Sequence, residues 1–115
     1  MLHHYYNRLG KKNKKLVLSR EGAYHGSTHL AMAMTTPAYA EGWDKADGLV
    51  HHLKCPHFWR HGNGMTEAQY MDYLLEDAKS HIETLGSENI ACFIAEPIQG
   101  AGGLIVPPEG YHVKM

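Results

Sequence analysis

Cysteine is scarce in this sequence of 115 residues: only Cys55 and Cys92 are present, and they stand far apart. No apolar leader segment opens the chain, so the two thiols do not read as a disulfide framework, and a reducing cytoplasm is the expected setting. Long apolar runs are missing as well. Nothing approaches the roughly 20 residues that a helix needs to cross a bilayer, and no membrane partner is expected. Neither charge is in excess: the formal net charge is -1, which gives no general attraction for nucleic acid or anionic lipid. The single basic run, Lys11 to Lys15, reads as a solvated loop. Repeats and low-complexity linkers are absent, so residues 1–115 read as one unit without an internal boundary. The G-x-S-x-G nucleophile elbow, the Walker loop and the dinucleotide fingerprint are absent too, which removes their chemistries.

What is present is an ordinary globular balance, 43% hydrophobic and 20% charged. "LHHYYNRLG" reads as the last turns of a helix stopped by Gly10. "KLVLSR" is a short extended run, and "STHLAMAMT" a helix capped by Ser27 or Thr28. "TPAYAEGWDKADG" has loop composition, and "LVHHLK" is a second candidate strand. From Thr66 the signal sharpens. "TEAQ" has capping-box spacing, and Tyr70, Met71, Leu74, Leu75, Ala78, Ile82 and Leu85 share one helix face that ends at Gly86. "NIACFIAEP" is a continuous apolar run, the mark of a strand buried on both faces of a parallel sheet. Strand, helix, strand, long helix, strand predicts an α/β architecture. Three such strands need more covering layers than this chain supplies, so the chain is expected to be an excerpt of a larger domain.

Two stretches invite a functional reading. Tyr24, His25 and Gly26 follow the first strand at the entry to a helix, and Glu96 ends the last strand before Pro97. In open α/β sheets ligands bind beyond the carboxyl ends of the strands. An aromatic ring there can stack on a planar ligand, and glycine admits close backbone approach. Pattern alone favours Tyr24 filling core space and His25 making a local hydrogen bond, and for Glu96 a loop cap or a buried ion pair is an equal alternative. "QGAGG", Gln99 to Gly103, is a turn of wide backbone freedom. The loop "HHLKCPHFWRH" gathers His51, His52, Cys55, His57 and His61, zinc-ligand types, but no pair sits at i, i+4 on a convincing helix and no second cluster completes a set. Pro56 and the aromatics Phe58 and Trp59 suggest a packed loop, and a metal-binding or interaction module on residues 51–61 is the rival reading from another class.

"AYHGST" and "FIAEPIQGAGG", with a capped amphipathic helix between them, together resemble the class III aminotransferases, pyridoxal-phosphate enzymes of fold type I. "KLVLSREGAYHGST", "CPHFWR" and "GGLIVPPEGYHVKM" add to the likeness, which covers the whole chain in the right order. The resemblance implies part of the large cofactor-binding domain, a mainly parallel sheet flanked by helices. It implies that Tyr24 stacks on the cofactor ring, that His25 and Gly26 line the same pocket, and that Glu96 belongs to the network below the cofactor. Gln99 and Gly100 fall on the substrate side. The partners implied are small-molecule amines and keto acids, in a homodimer. The family's phosphate-binding segment and its aldimine lysine match nothing here; Lys11, Lys12, Lys14, Lys15, Lys45, Lys54, Lys79 and Lys114 occupy none of the expected places. The catalytic lysine is therefore expected outside this chain, and the isolated chain is expected to be inactive. Ala101 after Gln-Gly is similar to the branch that moves amino groups from amines or ω-amino acids, often to pyruvate; aminomutases and decarboxylases share the same motifs.

Overall fold

The computed structural model describes residues 1–115. Helix α1 (Leu2–Arg8) precedes strand β1 (Leu16–Arg20), and α2 (His29–Met34) leads through a single 3-10 turn at Pro37–Tyr39 to β2 (Val50–Leu53). A short α3 (Phe58–His61), the long α4 (Glu67–Leu85), β3 (Ile90–Phe93) and a terminal α5 (Tyr111–Lys114) complete the order. The three strands form one parallel sheet in the order β2-β1-β3. Val17 lies opposite Val50 and Arg20 opposite Leu53, while Leu18 pairs with Phe93 beyond an irregularity at Leu16/Val17. Because all strands run the same way, their carboxyl ends meet at one edge. The segments after Arg20, Leu53 and Phe93 all leave from that edge.

Helix α4 forms where the local signals put it. The Thr66 hydroxyl accepts from the Gln69 N–H at 3.2 Å and the Gln69 side chain accepts from the Thr66 N–H at 2.8 Å, a complete capping box. Gly86 ends the helix at φ +77°, a conformation that costs an L side chain strain. Tyr70, Met71, Leu74 and Ala78 of the expected stripe are buried, whereas Ile82 is exposed and Leu85 half-buried. The buried residues make two small clusters. Tyr70, Met71 and Leu74 meet Tyr111, and Leu18 and Leu53 meet Ala78.

Four expectations are refined by the coordinates. The run "NIACFIAEP" is strand only over Ile90–Phe93, and within it Ala91 alone is fully buried. The reason is its place: β3 is an edge strand here, with the covered position taken by β1, whose Val17 to Arg20 are all buried. Cys92 is accordingly half-buried, not enclosed. Thr28 holds the cap position of α2, but its side chain makes no capping bond. The 51–61 segment is packed at Cys55 and Pro56, yet Phe58–His61 coil into a helical turn and Trp59 is 91% exposed.

Candidate functional site

The carboxyl edge of the sheet is built from β1 outward. Ser19 and Arg20, the last residues of β1, are both completely buried. Ser19 spends its hydroxyl on the Met34 carbonyl at 2.6 Å, tying β1 to the end of α2. Arg20 donates from Nη2 to the main-chain carbonyl of Glu96 and lies over the Tyr111 ring at 5.6 Å. Its Nε and Nη1 find no partner. A buried guanidinium gripping one carbonyl fixes where β3's exit segment runs relative to β1.

The chain after Arg20 then turns through Gly22 (φ +79°) into Tyr24-His25-Gly26. Two threonines behind it satisfy the main chain. Thr36 Oγ1 accepts from the Gly22 N–H at 3.0 Å, and Thr35 Oγ1 accepts from the His25 N–H at 3.0 Å while lying 3.0 Å from the Gly26 carbonyl. Both are buried. Thr35 in turn is held by His52 of β2, whose Nε2 lies 3.0 Å from the Thr35 carbonyl. Gly26 sits at φ +115°, and a Cβ added there would press on Ala31 Cβ at 3.3 Å. So glycine is demanded at this corner twice over, by dihedral and by space.

On this braced backbone the Tyr24 side chain is 46% exposed. His25 is half-buried, its Nε2 is enclosed without a partner, and its pKa is lowered, first by burial, then through the Arg20 and His52 charges, against the opposing pull of Glu96. The imidazole is thus held neutral in the middle of the physiological range.

Glu96 occupies the opposite wall. Its Oε1 accepts from the Tyr24 N–H at 3.1 Å and its Oε2 from the Gly100 N–H at 3.0 Å. Its carboxylate therefore caps loops instead of forming an ion pair, one of the two structural alternatives that position alone allowed. Gly100 is exposed, but the Gln99 side chain turns inward. Gln99 is 1% exposed, donates to the Glu21 carbonyl at 2.9 Å, and its Oε1 is 3.8 Å from Cys55 Sγ. Gln99 and Ile105 bridge each other's backbone at 3.1 and 2.9 Å, which closes the "QGAGG" turn. The Tyr39 hydroxyl reaches the Ala101 carbonyl at 3.2 Å and ties this turn to the segment after α2.

Tyr24, His25, Gly26, Glu96, Gln99 and Gly100 thus share one edge. Arg20, Thr35, Thr36 and Tyr39 complete it and were not singled out from sequence; the available signals were a charge ending an apolar strand and a Thr-Thr pair able to bond nearby backbone. The His/Cys segment does not converge: no group of three or more His, Cys, Asp or Glu side chains lies within reach of a common ion. His52 and Cys55 are engaged with Thr35 and Gln99, and His57 and His61 meet edge-on at 6.2 Å. Burial raises the Cys55 pKa, opposite to a reactive thiolate.

The arrangement fits a planar heterocycle bearing polar groups. An exposed aromatic ring on rigid backbone offers a stacking face, and the enclosed His25 Nε2 is a polar atom still lacking a partner.

The family model described as "Aminotransferase class-III" matches residues 1–115. The mitochondrial gamma aminobutyrate transaminase 1 of Solanum lycopersicum is 43% identical over 114 residues, 97% of this chain and 22% of that protein. A probable gamma-aminobutyrate transaminase 4 of Oryza sativa subsp. japonica is 40% identical, over 97% of this chain and 24% of its own length. Among solved structures, an omega-transferase from Vibrio fluvialis JS17 superposes with a TM-score of 0.93 at 38% identity, covering 98% of this chain and 27% of that one. A thermostable (S)-enantioselective omega-transaminase from Thermomicrobium roseum gives 0.93 at 39% identity, over 98% and 25%. The chain therefore spans 22% to 27% of the length of these relatives.

Proposed function

The chain belongs to the class III aminotransferases, and on that premise we propose that it supplies the ring platform and adjoining turn of an enzyme that moves an amino group from an amine or ω-amino acid to a keto acid such as pyruvate. The observation that carries the reading is the half-exposed Tyr24 ring, set on backbone that Glu96, Thr35 and Thr36 hold from three sides. Pyridoxal phosphate, the cofactor of this family, supplies the electron sink when bound. Tyr24 gives that ring a flat face and keeps its plane. His25 lines the same pocket from behind Tyr24, its Nε2 enclosed, and Gly26 lets the main chain approach. Glu96 sets the height of the Tyr24 backbone, and Gly100 forms the substrate-side wall.

The donor class rests on Ala101 and on the names of relatives, which are gamma-aminobutyrate and omega-transaminases. An alanine there leaves the turn without an acidic charge, which accepts both the uncharged far end of an amine and the carboxylate of an ω-amino acid. The complete enzyme works as a homodimer on this reading, a view supported by the exposed aromatics Tyr39 and Trp43 in the segment after α2. The free thiols Cys55 and Cys92 suit a reducing compartment such as the cytoplasm; the mitochondrial location belongs to the tomato relative's own name. Lys54, the lysine that follows β2 at this edge, turns to the Tyr73 ring at 5.3 Å, so on this reading the lysine that bonds the cofactor comes from elsewhere in the complete enzyme.

The test compares Tyr24→Phe with Tyr24→Ala in the complete enzyme. The phenylalanine keeps the stacking face and is expected to hold the cofactor nearly as tightly as the parent. The alanine is expected to weaken cofactor affinity by roughly fivefold, in line with about 1 kcal/mol for an aromatic stacking pair. Equal cofactor affinity in all three proteins, read from cofactor absorbance during titration, removes Tyr24 from the platform role. The 115-residue chain alone is expected to show no turnover of any amine with pyruvate.

A further inference from the structure

Glu96 is held in an unusual way for a charged residue. Both carboxylate oxygens are spent on main-chain donors, Tyr24 N–H at 3.1 Å and Gly100 N–H at 3.0 Å. The buried cation nearby, Arg20, does not take the carboxylate; it grips the Glu96 carbonyl oxygen instead. The residue is therefore fixed by its backbone to β1 while its side chain reaches out to two loops. One loop carries the Tyr24 ring, and the other is the Gly100 turn, 76 residues on from Tyr24. A Cβ built on Gly100 or Gly103 meets no neighbour within 4 Å, so the packing of the turn comes from Gly102 against Gly22 and from the Tyr39 hydroxyl on Ala101, and Glu96 is the side chain that holds the Gly100 N–H.

We propose that Glu96 is a positioning residue that locks the Tyr24 platform and the Gly100 turn into one unit, so that the space between them keeps a set width. The proposal rests on the functional reading above, because it takes that space to be where the cofactor and substrate lie. Its chemical content is a requirement for two acceptors on one side chain. Bonds from N–H to an ionised carboxylate are about twice as strong as neutral ones. A glutamine of the same length offers one acceptor oxygen, and its amide nitrogen would face the second N–H as donor against donor. An aspartate keeps both acceptors on a stem one methylene shorter, enough to lose reach to one loop. Arg20 assists as the anchor, holding the Glu96 main chain from below.

The experiment uses Glu96→Gln in the complete enzyme, prepared without cofactor and titrated with pyridoxal phosphate. Hydrogen–deuterium exchange is followed on the peptides that contain Tyr24 and Gly100. The expected result is faster exchange confined to one or both of those peptides, with cofactor affinity weakened by roughly tenfold, the effect of one lost charge-assisted bond. Glu96→Asp is expected to fall between the parent and the glutamine variant. Unchanged exchange at both peptides overturns the proposal, as does acceleration spread through β1 and β3, which marks general loosening of the sheet. Altered exchange with unaltered cofactor affinity also overturns it. If the parent enzyme takes up no cofactor, the functional reading falls and the positioning role falls with it, whereas a normal parent with an unaffected variant removes only Glu96.

Discussion

At the scale of single residues, the "QGAGG" turn contains two glycines with opposite expectations. A Cβ on Gly102 would collide with the main-chain oxygen of Gly22, an atom that cannot swing aside. A Cβ on Gly100 meets nothing within 4 Å, and its φ is not positive. Gly102→Ala is therefore expected to cost about 1–3 kcal/mol, the usual range for forced overpacking. Gly100→Ala should stay within about 0.5 kcal/mol, as a surface change does. Denaturant unfolding of the two variants compares them directly, and equal stabilities would contradict the packing of the turn against Gly22.

The histidines give a second residue-scale expectation, this one in pH. Burial is the leading cause that lowers the pKa of both His25 and His52. The unfolded chain then binds protons near pH 6.5, where the folded chain does not yet do so. Each contributes stability that is fully present above about pH 6.5 and is lost as pH falls toward the depressed folded value. Replacing both with glutamine is expected to flatten the decline in unfolding free energy between about pH 7 and pH 5. A decline as steep as the parent's would show that neither histidine is the source.

At the scale of elements, α4 is the part whose behaviour follows most directly from local chemistry. Thr66→Ala removes the hydroxyl that accepts the Gln69 N–H and is expected to cost about 1 kcal/mol, measured by thermal unfolding. Leu74→Ala, inside the Tyr70–Tyr111 cluster, is expected to cost about 2–5 kcal/mol. That ordering separates helix capping from core packing within one element. It also shows why α4 was legible in the sequence: cap, stripe and stop all lie within 21 residues, Thr66 to Gly86. β1 was legible for a similar reason, since Leu16, Val17 and Leu18 make a short apolar run ahead of the polar pair Ser19 and Arg20. β3 was overextended because an apolar run does not itself mark where pairing with β1 stops, here at Phe93. The site was legible only in its exposed half. Tyr24, Gly26 and Glu96 stand out by residue type and place, whereas Arg20, Thr35 and Thr36 matter through partners that only the fold brings near. The Arg20 contact with the Glu96 carbonyl spans 76 positions, and no periodicity carries information across that distance.

At the scale of the whole molecule, the balance between sheet and cover decides how the chain behaves. Only 23 of the 115 residues are buried. The core is split into clusters of four and three residues, and both outer strands, β2 and β3, present an open edge. Exposed edge strands pair readily with other strands when no helix or charge protects them. Beside β3, Leu18, Leu53, Ile90, Cys92 and Phe93 line a largely apolar groove with Ala78 and Ile82 of α4. Trp43, Trp59, Leu104 and Val113 are exposed as well. Apolar surface on this scale favours association over a dispersed monomer. The 115-residue chain by itself is therefore expected to sediment as concentration-dependent oligomers and to unfold with low cooperativity. A charge placed on the open edge, Cys92→Lys, should shift the distribution toward monomer. Velocity sedimentation over a hundredfold range of concentration checks both statements, and a sharp monomer peak at all concentrations would mean that the three-stranded sheet is self-sufficient.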